Sequence, residues 1–252
     1  MSRYDFRTPR LFVRPDLAAE ARLPLDRGQA NYLGNVLRLK PGAPVLVFNG
    51  RDGEWQAELA QAGRRDLALV VGRQARPQSA PTDIHYLFAP LKHARLDYMV
   101  QKAVEMGVSR LQPVTTRHTQ SARINLERME ANAIEAAEQC GILTLPEVGD
   151  LIGLDDMLAG RDPTRLLVFC DEDAEVTDPV AALAAFRPAS GRLPVDVLIG
   201  PEGGFAESER AMLLKVSRAV RLSLGPRILR ADTAAIAALT VVQAVLGDWT
   251  GA

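Results

Sequence analysis

The sequence predicts an α/β protein in two parts: a small β-barrel first, then a larger domain built on a mainly parallel sheet. Three observations predict it. Residues Leu11 to Gly72 hold short runs of β character separated by turn residues. From Ile84 onward, strand-like and helix-like segments alternate, which is the pattern of parallel strands joined by crossover helices. Between them, Gln74 to Thr82 carries Pro77, Ser79 and Pro81 in the manner of a linker. The expected domains are residues 1–75 and 83–252.

In the first part, Val45 to Phe48 and Leu67 to Val71 read as strands. Asn49-Gly50 and Asp52-Gly53 supply turn chemistry before Glu54 to Leu59, which alternates polar and apolar in strand fashion. In the second part the expected strands are Ile84–Ala89, Arg110–Val114, Leu166–Cys170, Val195–Ile199 and Ala219–Leu224. The expected helices are Arg95–Met106, Asn125–Cys140, Glu207–Val216 and Asp232–Leu246. Leu96, Met99, Val100, Ala103 and Val104 recur at helical spacing, which assigns them to a core face. Ala234 to Leu246, interrupted by Thr240 and Gln243, is too short to span a bilayer and reads as a buried helix.

Composition narrows the class. A chain of 252 residues that is 47% hydrophobic and 24% charged is an ordinary globular protein. Met1 to Arg10 is polar and arginine-rich with no apolar stretch behind it, so no secretory signal is expected. Cys140 and Cys170 are far apart and fit no metal spacing; both are expected to be small buried residues in a reducing cytosol. The expectation is a soluble cytoplasmic protein without a membrane segment or a metal. Net charge is −1, but residues 1–80 hold thirteen Lys and Arg against eight Asp and Glu, and the remainder is acidic. A basic first third is either a solvated face or the footprint of a nucleic-acid-facing module.

Two glycine-proline loops carry the chemistry. The first is Val197-Leu198-Ile199-Gly200-Pro201-Glu202-Gly203-Gly204-Phe205; the second runs from Leu222 through Gly225-Pro226-Arg227-Ile228-Leu229-Arg230 to Ala234. Each starts as a buried-strand run and leads into a helix. Glycine at such a strand end lets backbone groups approach a ligand, because no Cβ intervenes. A helix start flanked by two arginines brings backbone donors and cations to one place. Two such loops close in sequence suggest one pocket built from both. The dinucleotide fingerprint G-x-G-x-x-G is absent after the first strand of the α/β part, which argues against a nicotinamide enzyme.

The phrases LIGPEGGF and LSLGPRILRADTA resemble the RsmE family of ribosomal RNA methyltransferases. The resemblance runs along nearly the whole chain, through Pro9 to Val13, Tyr32 to Gly42, Gln101 to Val108 and Ala136 to Gly141. It implies a PUA-like β-barrel followed by a SPOUT domain with a C-terminal trefoil knot. It also implies S-adenosyl-L-methionine (SAM) as cofactor, and N3 of a uridine in 16S rRNA of the small ribosomal subunit as acceptor. Action as a homodimer is expected on the same ground. By resemblance, Leu198, Ile199, Gly200, Pro201, Glu202, Gly203, Gly204, Leu224, Gly225, Ile228, Leu229, Arg230 and Thr233 hold the cofactor, with a third wall at the end of the Leu166–Cys170 strand.

Uracil N3 must lose a proton before its lone pair can attack, leaving negative charge on the flanking carbonyls that a cation could stabilise. Arg10 or Arg230 is expected to face that charge. Glu202 is expected either to accept the proton or to orient its loop. Candidate RNA contacts are Arg10, Arg14, Arg22, Asn31, Arg38, Lys40, Lys92, Arg95 and Lys102, of which Arg38 and Lys40 should be exposed ahead of the Pro41-Gly42 turn. His93 and His118 have no metal-ligand spacing, and His118 lies in a polar loop that suits RNA contact or plain surface. Three positions depart from the family pattern. Asp232 stands where Glu is usual, Asn31 where His is frequent, and Ile142 where Arg is common.

Overall fold

The computed structural model describes residues 5, 7–63, 66–92, 94–121, 123–175 and 178–250. The chain divides into two compact units, residues 1–80 with 137–145, and residues 81–136 with 146–252.

The first unit is a five-stranded half-barrel. Its strands are β1 (Arg10–Phe12), β2 (Arg22–Pro24), β3 (Pro44–Phe48), β4 (Glu54–Gln61) and β5 (Leu67–Arg76), in the order β1-β3-β4-β5-β2. β1 pairs parallel to β3 and the other pairs are antiparallel. Helix α1 (Arg27–Asn31) begins with a capping box between Asp26 and Gln29 and continues as a π-helical turn, Tyr32–Val36. Alternation places Leu23, Val45, Val47, Ala57, Leu59, Leu69 and Val71 inside, with Leu33 of the π turn packed among them. At the β3–β4 turn the Asn49 side chain accepts from the N–H groups of Arg51 and Asp52, as turn asparagines do. The linker is shorter than the sequence suggests. Gln74 to Arg76 continue β5, because a register shift opposite Glu54 and Trp55 keeps the β4–β5 ladder going past Gly72.

The second unit is a seven-stranded parallel sheet flanked by helices. Its elements are β6 (Ile84–Phe88), α2 (Ala94–Glu105), β7 (Arg110–Thr115), α3 (Leu126–Cys140, whose last four residues belong to the first unit), β8 (Glu147–Val148) and β9 (Ile152–Gly153), followed by α4 (Leu154–Gly160), β10 (Leu166–Cys170), α5 (Pro179–Ala184), β11 (Val195–Ile199), α6 (Glu207–Leu213), β12 (Ala219–Leu222) and α7 (Ala231–Val245). The strand order is β12-β10-β11-β6-β7-β8, with β9 beside β7, and every pairing is parallel. All five residues of β11 are buried, as expected of a strand covered on both faces. Because β10 sits between β11 and β12, the connection through α6 crosses over β10.

Leu96, Met99, Val100, Ala103 and Val104 are all buried on α2. α7 buries Ala235, Ala238, Leu239 and Val242, together with Gln243, whose side chain donates to Met106 O and accepts from Asp248 N. Two expected elements end two or more residues early, α6 at Leu213 and β12 at Leu222, where the chain leaves the ladder for its loop. Cys140 is exposed rather than buried, since it closes α3 on the solvent side. No helix among the described residues is long and apolar enough to cross a membrane.

Candidate functional site

β10, β11 and β12 lie side by side and parallel, so their carboxyl ends open at one edge of the sheet, where α/β folds place ligands. The three loops leaving that edge enclose a cleft of about 340 Å³. One wall is Cys170, Asp171, Glu172 and Ala174 after β10. A second is Ile199 to Glu202 with Gly204 and Phe205. A third runs from Leu222 to Leu229, and Ala231 and Ala234 of α7 form the back.

Local geometry explains the glycines. A Cβ on Gly200 would sit 3.0 Å from the ring of Phe205, which is buried against Phe169. Gly204 N–H closes the turn onto Pro201 O at 2.9 Å. Gly225 adopts φ +99°, a region side-chain-bearing residues avoid, with open space where a Cβ would stand.

The cleft is braced from behind. Buried Asp171 accepts from Arg210 Nε at 2.8 Å and Arg221 Nε at 2.9 Å, tying α6 and β12 to the end of β10. Burial opposes its ionisation, but the bonds from Arg210 and Asp173 N–H and the two guanidinium charges outweigh that and hold its carboxyl below the usual range. Beside it the Cys170 thiol is pushed up to about 12, first by burial and then by the Asp171 charge. Glu209 accepts from Ala206 N and Arg117 N, joining the start of α6 to the loop after β7. From that loop, His118 Nδ1 lies 3.0 Å from Gly203 O and 3.2 Å from Gly204 O. Both partners are acceptors, so Nδ1 carries the proton and donates.

The expected cofactor residues Ile199, Gly200, Pro201, Glu202, Gly204, Leu224, Gly225, Ile228 and Leu229 line the cleft. Four others do not. Leu198 turns into the core with Leu87, Phe169 and Leu213. Gly203 presents its carbonyl to His118. Arg230 is exposed as the N-cap of α7, and Thr233 is exposed on its first turn. Glu202 stands at the rim, 3.5 Å from Arg95 Nη1.

The expectation of a catalytic or RNA-binding Arg10 is corrected by its placement. Its guanidinium side chain is 6% exposed and bonds Glu54 Oε1 at 2.9 Å and Asp5 O at 2.7 Å. Arg76 holds the other oxygen of Glu54 at 2.8 Å, so Arg10 is committed to a buried ion cluster inside the first unit.

Arg14, Arg22, Asn31, Arg38 and Lys40 are exposed on the half-barrel, with Arg38 at φ +55°, and Lys92 is exposed on the second unit. Lys102 is held by Glu105 at 2.7 Å and lies over the Tyr98 ring. His93 lies outside the described residues. Asp171, Glu172 and the packing role of Phe205 were not singled out from the sequence, and His118, read there as RNA contact or plain surface, instead pins the first glycine loop. The signal for the first two was an acidic pair directly after an apolar strand.

Residues 78–243 match the RNA methyltransferase domain, and residues 25–72 match the RNA methyltransferase PUA domain. The chain belongs to the ribosomal RNA small subunit methyltransferase E family. It is 31% identical over 247 residues to the member from Synechocystis, covering 94% of this chain and 78% of that one. It is 28% identical over 235 residues to the member from Rickettsia conorii, covering 93% and 94%. Among solved structures it is similar to the family member from Neisseria gonorrhoeae bound to SAM, with a TM-score of 0.81, 25% identity, and 96% and 100% of the two chains covered. A Legionella pneumophila protein solved with the cofactor SAM gives a TM-score of 0.80 at 27% identity, covering 94% and 98%. The fold is thus the α/β methyltransferase type with a PUA-like half-barrel.

Proposed function

We propose that this protein transfers the methyl group of SAM to N3 of a uridine in 16S rRNA of the small ribosomal subunit. The observation that carries this reading is the three-walled cleft at the ends of β10, β11 and β12, built by the same loops that resemble the family's. Its residues fit SAM. The apolar back formed by Ile199, Leu222, Leu224, Ala231 and Ala234 suits an adenine. The rim carboxylates Glu172 and Glu202 suit hydroxyl donors and positive charge, and the glycines leave the backbone accessible.

When bound, SAM supplies an electrophilic methyl carbon. The chain's own groups hold and orient the reactants. Arg230, exposed at the start of α7, meets the negative charge left on the uracil carbonyls once N3 is deprotonated. Glu202, 3.5 Å from Arg95 Nη1, takes the N3 proton or orients its loop. The exposed Arg14, Arg22, Asn31, Arg38, Lys40 and Lys92 contact phosphates. The protein works in the cytoplasm as a homodimer, in which a second copy covers apolar surface such as Ile228, 86% exposed, and Trp249, 53% exposed.

The test is incubation with labelled SAM and small subunits from cells lacking the enzyme, followed by nucleoside mass spectrometry. 3-Methyluridine is the expected product. Another methylated nucleoside would overturn the acceptor, and failure to bind SAM would leave a non-catalytic RNA-binding protein. Glu202→Gln with normal turnover and SAM affinity would remove Glu202 as base.

A further inference from the structure

On the half-barrel, the chain between α1 and β3 forms a projecting tip. Leu33 is fully buried and Leu39 packs against the same core, so the tip is anchored on both sides. The N–H of Leu39 donates to Leu33 O and that of Leu37 to Tyr32 O, each at 2.9 Å, closing the tip across its base. Arg38 takes φ +55°, a conformation that favours glycine, and Asn35, Val36, Leu37 and Arg38 are exposed in succession. The tip is therefore held in shape before anything binds it.

Its surface combines three chemistries. Val36 is 61% exposed and Leu37 37%, adjacent in the chain. Between Leu25 and Gly42 the chain carries Arg27, Arg38 and Lys40 against a single carboxylate, Asp26, which caps α1 by accepting from Gln29 N–H. Among the described residues, no ion pair reaches Arg27, Arg38 or Lys40. Asn35 Nδ2 donates to Asn31 Oδ1 at 2.9 Å. Both side chains are exposed, and that bond leaves an acceptor on Asn35 beside a donor on Asn31.

This combination selects the partner. A paired RNA helix offers phosphates but hides the faces of its bases, which would leave Val36 and Leu37 in water. A second copy of this chain would bring like charges together. An unpaired nucleotide offers what the tip lacks: an apolar base face, a base edge with a donor beside an acceptor, and phosphates.

We propose that this tip holds an unpaired stretch of RNA. A base face lies on Val36 and Leu37, its edge meets Asn31 and Asn35, and flanking phosphates meet Arg38 and Lys40. The proposal rests on the reading that this chain acts on RNA, and goes beyond it by naming an unpaired strand as what the half-barrel grips.

The experiment is fluorescence anisotropy of the whole protein with a labelled RNA of about 12 nucleotides, single-stranded or annealed to its complement, over a salt series. The single strand should bind about tenfold more tightly. Val36→Ser combined with Leu37→Ser should weaken the single strand about tenfold, leaving duplex affinity, the salt slope, melting and SAM affinity as in the parent. Arg38→Gln should weaken both forms and lower the salt slope by about one. Equal binding of the two forms, a double variant that keeps the preference, or no binding of either form would overturn the proposal. So would polyglutamate competing as well as the single strand, or a double variant whose only change is lost self-association in sedimentation. Formation of 3-methyluridine on small subunits is scored separately. Product without the single-strand preference defeats this proposal alone, and the preference without product defeats the acceptor reading alone.

Discussion

Substituting Gly200 by Ala tests how the first glycine loop is built. The new Cβ would stand 3.0, 3.1 and 3.4 Å from three ring carbons of Phe205. That ring is 4% exposed and meets Phe169 edge-on at 6.4 Å, so it has little room to retreat. Overpacking of this kind costs about 1–3 kcal/mol. If a strain of about 2 kcal/mol falls wholly on the loop, SAM affinity drops about 30-fold; shared evenly with the core, the loss is about fivefold in affinity and about 1 kcal/mol in stability. Calorimetric titration with SAM and chemical denaturation measure the two shares. Phe205→Leu in the Gly200→Ala background should recover part of the loss, because the contacts are non-additive. A Gly200→Ala protein with unchanged melting and SAM affinity, or a loss untouched by the Phe205 change, would refute the reasoning.

Three other perturbations follow. His118→Ala removes the donor to Gly203 and Gly204 carbonyls and should weaken SAM binding by about three- to tenfold, by calorimetry, with global stability nearly unchanged. Glu54→Gln strips the charge between Arg10 and Arg76 and should destabilise the half-barrel by about 3–5 kcal/mol, read by denaturant unfolding. In the parent protein the carboxyls of Glu54, Asp171 and Asp196 are all held below their ordinary values. Their stabilisation is therefore complete above the unfolded-state pKa and is lost as pH falls through the lower folded-state values; Glu54→Gln should flatten that acid decline in a melting-versus-pH series. Finally, maleimide at pH 8 should label Cys140 and spare Cys170, whose thiol at about 12 is not ionised, with a second label gained only on unfolding; mass spectrometry counts the adducts.

The parallel core was legible because its strands are continuous apolar runs. β10 and β11 occupy the residues that pattern assigns, and the glycine-proline loops mark where two of the cleft's three walls begin. Short elements were not legible. β1 and β2 have three residues each, and α4 and α5 have seven and six, too few to show a period. The partners of charged residues were hidden as well, because they are distant in sequence. Arg10 meets Glu54 across 44 positions and His118 meets Gly203 across 85. Motif position alone made Arg10 a candidate at the chemistry; only the fold reveals that its charge is already matched.

The return of residues 137–145 to the first unit bears on how the chain is made. Glu138 accepts from Phe12 N–H, Gly141 O accepts from Arg76, and Leu143 O accepts from Gln78. A nascent chain emerging up to residue 80 lacks those three acceptors. At about 5–20 residues per second, roughly 65 further residues and about 3–13 s of synthesis separate the last strand of the half-barrel from the segment that completes it. During that interval β1 and the Arg76 end of β5 wait for partners while the first strands of the second sheet are already emerging. A fragment cut at residue 80 would be frozen in that incomplete state, so a stand-alone half-barrel needs residues 137–145 grafted back.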